Sequence, residues 1–232
     1  MNSPEYASWI NKKEIYVDQL TEVNINRLHY TLNILGNPPS LGEPVFPMAL
    51  LILGEPSVQS DELGEDGHPA RGGFMPPVPM KRRMFAGGDY EFFQPLNVGD
   101  KVYVSWKITD STRKTGSSGE LVFVDILREF KVNQQLCAKE NRHIVYTDSK
   151  PKTGQTDEAE IPGEWTEKIK TNAVQLFRYS ALTFNGHRIH YDRTYATEVE
   201  GYPGLVVHGP LMATMLSLFA ERQSGRKLHK FS

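Results

Sequence analysis

The sequence predicts an α+β fold, and three observations carry that prediction. Between Val102 and Val145, three segments alternate apolar and polar residues and are joined by short polar connections, which is the pattern of consecutive antiparallel strands. Apolar residues at near-helical spacing precede them from Ile15 onward. A further apolar run without a breaker follows from Leu211, as a core helix requires. Long antiparallel strands need a surface to cover, and a sheet curled around a helix is the simplest answer.

Taken in order, Val17, Leu20, Val23, Ile25, Leu28, Leu32 and Leu35 predict one helix from Ile15, with Asp18 or Thr21 as its cap. The run Gly36-Asn37-Pro38-Pro39 ends it. Residues 44–53 are apolar but carry two prolines, which excludes a central strand and leaves a helix or an edge piece near Met48. Residues 54–79, rich in Gly, Pro and acidic side chains, read as a long loop, either functional or a plain connection. The basic cluster Lys81, Arg82 and Arg83 follows, and its two readings are a solvated surface and a phosphate site. A strand is expected at 89–93 after the Gly87-Gly88 turn. Beyond Asp100, Val102, Val104 and Trp106 alternate with Tyr103 and Lys107; Val122, Val124 and Ile126 share one face of a second strand, and 136–145 gives a third. Residues 148–163, polar with two prolines, read as a linker. The expected organisation is therefore a first unit over 1–148, a linker over 149–163 and a second unit over 164–232. Within the second unit, 172–183 is its first helix or strand.

Composition bounds the function. With 232 residues, 39% hydrophobic and 23% charged, the chain suits one large domain or two small ones. A net charge of -2 gives no electrostatic case for nucleic acid or an anionic membrane. Cys137 stands alone, so no intrachain disulfide framework is available, which fits a reducing cytoplasm. No apolar run is long enough to span a bilayer, and the first nine residues read as neither a signal nor a transit segment; the expected address is cytoplasmic.

The chemistry concentrates between Phe177 and Leu216, where Asn185, His187, His190, Tyr191, Asp192 and His208 fall in a short span. Asn185-Gly186-His187 is a turn signal, so irregular backbone can present Asn185 and His190 to a cleft. His190 is the better general base, because imidazole titrates near neutrality. Asn185 does not titrate; its amide orients water or a substrate oxygen. Pro210 suits the first position of a helix, which puts the Gly209 N–H at the helix's positive end, where a carbonyl oxygen can gain negative charge. His187 and His190 alone make a poor metal pair, since no carboxylate or third ligand stands at a supporting spacing. No metal is expected.

On these residues, 179–196 followed by 204–213, the chain resembles the MaoC-type hotdog dehydratases, and within them the branch of mesaconyl-C4-CoA or itaconyl-CoA hydratases and mitochondrial-type 3-hydroxyacyl-thioester dehydratases. The resemblance implies a double hotdog, each half a curled antiparallel sheet around a central helix, with an acyl pocket in the non-catalytic first half and the hydratase motif in the second. It implies that His190 takes the family's acid–base His, Gly209 its oxyanion amide and Asn185 the position of its Asp, a departure that puts a two-residue acid–base mechanism in question. His187, Arg188, Tyr191 and His208 are then expected around the substrate, and Lys81, Arg82 and Arg83 near the coenzyme A phosphates. Only residues 227–232 remain for strands beyond the second central helix, so the second half is expected to be incomplete or completed by a partner.

The implied activity is reversible hydration of an enoyl-CoA thioester, best a branched dicarboxylic one giving citramalyl-CoA. The alternatives are a 3-hydroxyacyl-thioester dehydratase of fatty-acid synthesis and a non-catalytic acyl-thioester-binding module. No cofactor is implied; the coenzyme A thioester is the substrate. A homodimer is expected, because an uncovered central helix would leave apolar surface in water.

Overall fold

One antiparallel sheet organises residues 4–116, 119–150 and 163–232, which the computed structural model describes. Its strands are β1 (Lys13–Gln19), β2 (Arg82–Phe92), β3 (Lys101–Gly116), β4 (Gly119–Val132), β5 (Gln135–Thr147) and β6 (Lys230–Phe231), in the order β1-β3-β4-β5-β2-β6. The predicted alternation holds: Val102, Val104 and Trp106 of β3 and Val122, Val124 and Ile126 of β4 are buried, while Tyr103 is exposed. On the buried face lie three helices, α1 (Glu22–Thr31), α2 (Ala173–Leu182) and α3 (Gly209–Ser224), with a 3₁₀ turn at Pro47–Ile52. Ile25 and Leu28 of α1, Met48 to Leu51 of the turn, Leu176 of α2 and Leu211 of α3 share one core with the sheet.

The single helix expected from Ile15 is a strand followed by a helix. Ile15 and Val17 fit a period of two as well as a helical one, and in β1 they point outward, 61% and 53% exposed. An open edge on β3 gives their backbone a full set of pairs from Lys13↔Lys107 to Gln19↔Lys101, which local helix propensity does not match. Thr21 then caps α1, its hydroxyl accepting from the Asn24 N–H at 3.2 Å. The strand expected at 89–93 begins seven residues earlier, so Arg82 and Arg83 belong to the sheet.

The second half supplies helices and short turns, and among the described residues it builds no sheet of its own. Its β6 adds to the first half's sheet, pairing Tyr90↔Phe231 and Glu91↔Lys230. The described residues of the second half thus contribute one short strand to that sheet. Most of the expected 149–163 linker lies outside the described residues. None of the helices is long and apolar enough to cross a membrane, among the described residues.

Beneath this sheet sits a charged network. Arg128 on β4 is fully buried and donates to Glu140 on β5 at 2.6 Å and to the Leu53 carbonyl at 2.5 Å, with its guanidinium over the Trp106 ring at 4.5 Å. Arg142 donates to the same carboxylate at 2.9 Å and reaches Glu55 at 3.1 Å. Burial alone would push the Glu140 carboxyl up, but Arg142 and Arg128 outweigh it and hold the group below the usual range. Trp106 Nε1 donates to the Gly54 carbonyl at 2.8 Å, so both residues that open the long loop are tied to the sheet. Removing the carboxylate takes from the fully buried Arg128 its closest charged partner and leaves it the Leu53 carbonyl and Glu55 at 3.4 Å; Glu140→Ala is expected to cost about 3–5 kcal/mol, read as a lower urea midpoint at unchanged m.

Candidate active site

Asn172 starts α2 by accepting from the Gln175 N–H at 3.0 Å, and the helix ends at Thr183. Phe184 takes a left-handed conformation, φ 49°, and reverses the chain. Asn185 follows: its N–H returns to the Ser180 carbonyl at 2.9 Å, and its Oδ1 accepts from the His187 N–H at 3.0 Å. What its side chain has left for a substrate oxygen is the Nδ2 amide.

Three of the expected residues meet ring to ring. The His190 and His208 rings stack at 3.7 Å with 20° between their planes, and His187 meets His190 edge-on at 5.4 Å. His190 Nδ1 lies 2.7 Å from the Val206 carbonyl, an acceptor only, so Nδ1 carries the proton and Nε2 keeps its lone pair. His208 is wholly buried at the start of α3, with Nε2 2.8 Å from Ser180 Oγ. Gly209 follows as the first residue of α3, where an N–H has no partner within the helix. A Cβ there would lie 2.5 Å from Phe85 Cδ1, so glycine is what lets β2 close on the helix start. Burial pushes His190 down to about 4. It also takes His187 down to about 3 and His208 to about 2, each helped by the neighbouring His190. All three are neutral at physiological pH.

The long loop is part of the site, a role the sequence left open. Gly67 and Gly186 touch backbone to backbone: a Cβ on Gly67 would stand 2.0 Å from the Gly186 carbonyl oxygen, and one on Gly186 2.3 Å from that of Gly67. The Arg188 N–H donates to the Asp66 carbonyl at 2.9 Å, and the His68 ring lies 4.3 Å from that of His187. Asp66 fixes His68, accepting from its backbone N–H at 3.0 Å and lying 3.1 Å from its Nδ1. The fold thus supplies the carboxylate and third imidazole that sequence spacing lacked. Ligand atoms of Asp66, His68 and His187 fall within 4.8 Å of one another, the only such grouping among the described residues. The Asp66–His68 hydrogen bonds and the ring contact account for it without an ion. Asp66, His68, Ser180 and Phe85 were not singled out from the sequence; the Asp-Gly-His turn at 66–68 was the available signal.

Other expected residues have different duties. Arg188 is held by Asp192 at 2.7 Å and by the Glu65 carbonyl at 3.1 Å, over the Tyr195 ring. The Tyr191 hydroxyl donates to the Gly186 carbonyl at 2.9 Å, bracing the turn. The basic cluster is divided by the strand it sits on. Lys81 is exposed, Arg82 is buried against Glu200 at 2.6 Å, and Arg83 is buried with a long bond, 3.4 Å, to the Pro69 carbonyl. They do not present three cations to one phosphate group.

The chain has recognised relatives in sequence and in fold. The family model described as hydroxyacyl-thioester dehydratase type 2 matches residues 49–232. A mesaconyl-C(4)-CoA hydratase of Chloroflexus aurantiacus is 37% identical over the whole of this chain and 84% of its own length. The mitochondrial hydroxyacyl-thioester dehydratase type 2 of Schizosaccharomyces pombe is 33% identical over 62% of this chain and 55% of its own. In fold, a MaoC-like dehydratase from Phytophthora capsici superposes with a TM-score of 0.61 at 15% identity, over 92% of this chain and 75% of that one.

The neutral imidazoles set the acid stability. Unfolded imidazoles protonate near 6.5, whereas His187, His190 and His208 resist protonation until well below it, so the unfolded chain binds more protons as pH falls. Stability is full above about pH 6.5 and declines below it, by about 2 kcal/mol per buried imidazole between pH 6.5 and 5. Urea unfolding at pH 7 and pH 5 should show that loss, reduced when His208 is replaced by Gln.

Proposed function

The chain belongs to the hydroxyacyl-thioester dehydratase type 2 family, and on that premise we propose that it catalyses reversible hydration of an enoyl-CoA thioester. One observation carries the reading: His190 shows a lone pair at Nε2, with its proton anchored on the Val206 carbonyl, beside the open N-terminus of α3. The Gly209 N–H polarises the thioester carbonyl, so that negative charge arriving from C2 is received at a helix start. His190 Nε2 takes a proton from water as its oxygen bonds to C3, and the imidazolium so formed gives that proton to C2 of the enolate. In the reverse direction Nε2 takes the C2 proton, and the imidazolium then protonates the departing hydroxyl. Asn185 Nδ2 aligns that oxygen. Imidazole, an amide and a helix terminus suffice, so the reading calls for no metal or redox cofactor, and coenzyme A enters as part of the substrate.

The substrate we favour is a branched C4–C5 dicarboxylic thioester, mesaconyl-C4-CoA or itaconyl-CoA, by likeness to the Chloroflexus relative. A 3-hydroxyacyl-thioester dehydratase of fatty-acid synthesis is the second reading, by likeness to the yeast one. The working unit we propose is a homodimer. Met212 and Leu216 of α3 are each 55% exposed, apolar surface that a second copy would cover.

Loss of the conjugated enoyl-thioester absorbance should follow addition of mesaconyl-C4-CoA faster than crotonyl-CoA, itaconyl-CoA being followed by chromatography of the product, and His190→Ala should lower kcat by about 10²–10⁴. Turnover of medium-chain 3-hydroxyacyl-CoA alone would transfer the assignment to the second reading. Light scattering at micromolar concentration should give twice the 26.3 kDa of the chain, and a monomer would count against the assembly.

A further inference from the structure

We propose that Arg83 is the residue that selects the acyl group, by binding its free carboxylate; the assignment deepens the hydratase reading and rests on it. Arg83 is 7% exposed, and its Nε is buried without a hydrogen-bond partner. Its Nη2 makes one long bond, 3.4 Å, to the Pro69 carbonyl. No carboxylate pairs with it among the described residues. The contrast with its neighbours is sharp: Arg82 has Glu200 at 2.6 Å, and Arg128 has Glu140 at 2.6 Å. A buried guanidinium is costly unless an anion completes it, and here the chain provides none.

The missing anion belongs beside the histidines. Pro69 adjoins His68, whose ring lies on His187, and the positive charge of Arg83 reaches His187 strongly enough to oppose its protonation. Across the ladder Arg83 pairs with Tyr146, and its guanidinium lies close enough to act on the buried Tyr146 hydroxyl, which makes no other side-chain bond among the described residues. The nearest acidic group acting on the same residues is Asp66, and its carboxylate is held by His68. A guanidinium fork and a phenol present several donors to one small anion, which suits the two oxygens of a carboxylate. A coenzyme A diphosphate fits less well, because Lys81 is exposed and Arg82 is committed to Glu200. A substrate with an acyl carboxylate would thus be held by Arg83 while its double bond lies at His190.

The test compares thioesters that differ in that carboxylate. Wild-type protein should bind succinyl-CoA, an unreactive probe, at least about 30-fold tighter than butyryl-CoA by calorimetry. In Arg83→Gln the ratio of kcat/KM for mesaconyl-C4-CoA over crotonyl-CoA should collapse by about 100-fold, with Arg83→Lys retaining part of it. Circular dichroism identifies a variant that fails to fold, and the wild-type binding comparison needs no variant. Equal affinity for the two probes overturns the proposal. So does a parallel loss for both substrates with the ratio intact, which would place Arg83 on the thioester or the coenzyme A phosphates. If the wild type hydrates none of the thioesters, the hydratase reading fails, and the succinyl-CoA comparison still decides whether the protein recognises a carboxylate.

Discussion

The buried pairing of Arg128 with Glu140 is the constraint on which the rest of the structure depends. It joins β4 to β5 in the middle of the sheet, and through the Leu53 carbonyl it anchors the point where the long loop leaves the core. Arg142 and Tyr90 complete the shell around the same carboxylate, at 2.9 Å and 3.3 Å, and Glu55 pairs with Arg142 at 3.1 Å. Such a network adds little net stability over apolar packing, but a half-filled one is severely destabilising, so each member constrains where the others can stand. What it positions is the start of the loop, held again by Trp106 on the Gly54 carbonyl.

From that anchor the loop reaches the motif. Contact between Gly67 and Gly186 leaves no room for a side chain on either, and the Arg188 N–H binds the Asp66 carbonyl. The turn carrying Asn185, His187 and His190 is therefore held from two sides, by α2 through Ser180 and by the loop through Asp66 and His68. This is how residues more than a hundred positions apart form one site. It also explains the low proton affinity of the imidazoles: walled in by packed backbone and by one another, they lose the water that would stabilise their charge. His190 keeps one tautomer, with its Nε2 lone pair free, and its ring stacks on that of His208 at the head of α3.

Much of this was legible in the chain. Period-two alternation marked β3, β4 and β5, because one face of each is buried and the other is not. The turn at Asn185, the imidazole at 190 and the glycine before Pro210 pointed to the candidate site, because those residue types have few structural reasons to gather so closely. The start of α3 followed from the conformational preference of Pro210. Resemblance to the dehydratase family supplied the hotdog architecture, which neither composition nor spacing could specify. The expected helix at Ile15 was not legible, since β-branched residues at positions 15 and 17 satisfy both periods and only the free edge of β3 decides between them.

What the sequence by itself determined is thus local: which segments alternate, where the turns fall, which groups can move a proton. Only the tertiary structure decided which residues share the site and which charges are answered. Lys81, Arg82 and Arg83 are neighbours in sequence, yet the strand sends one to solvent, one to Glu200 and one into the core without a carboxylate. Asp66 and His68 carry no motif of their own and become part of the site because a loop folds back on residue 186. The reason is physical. Proton affinity and ion pairing depend on distance and on the exclusion of water, and both are set by contacts between segments that lie far apart along the chain.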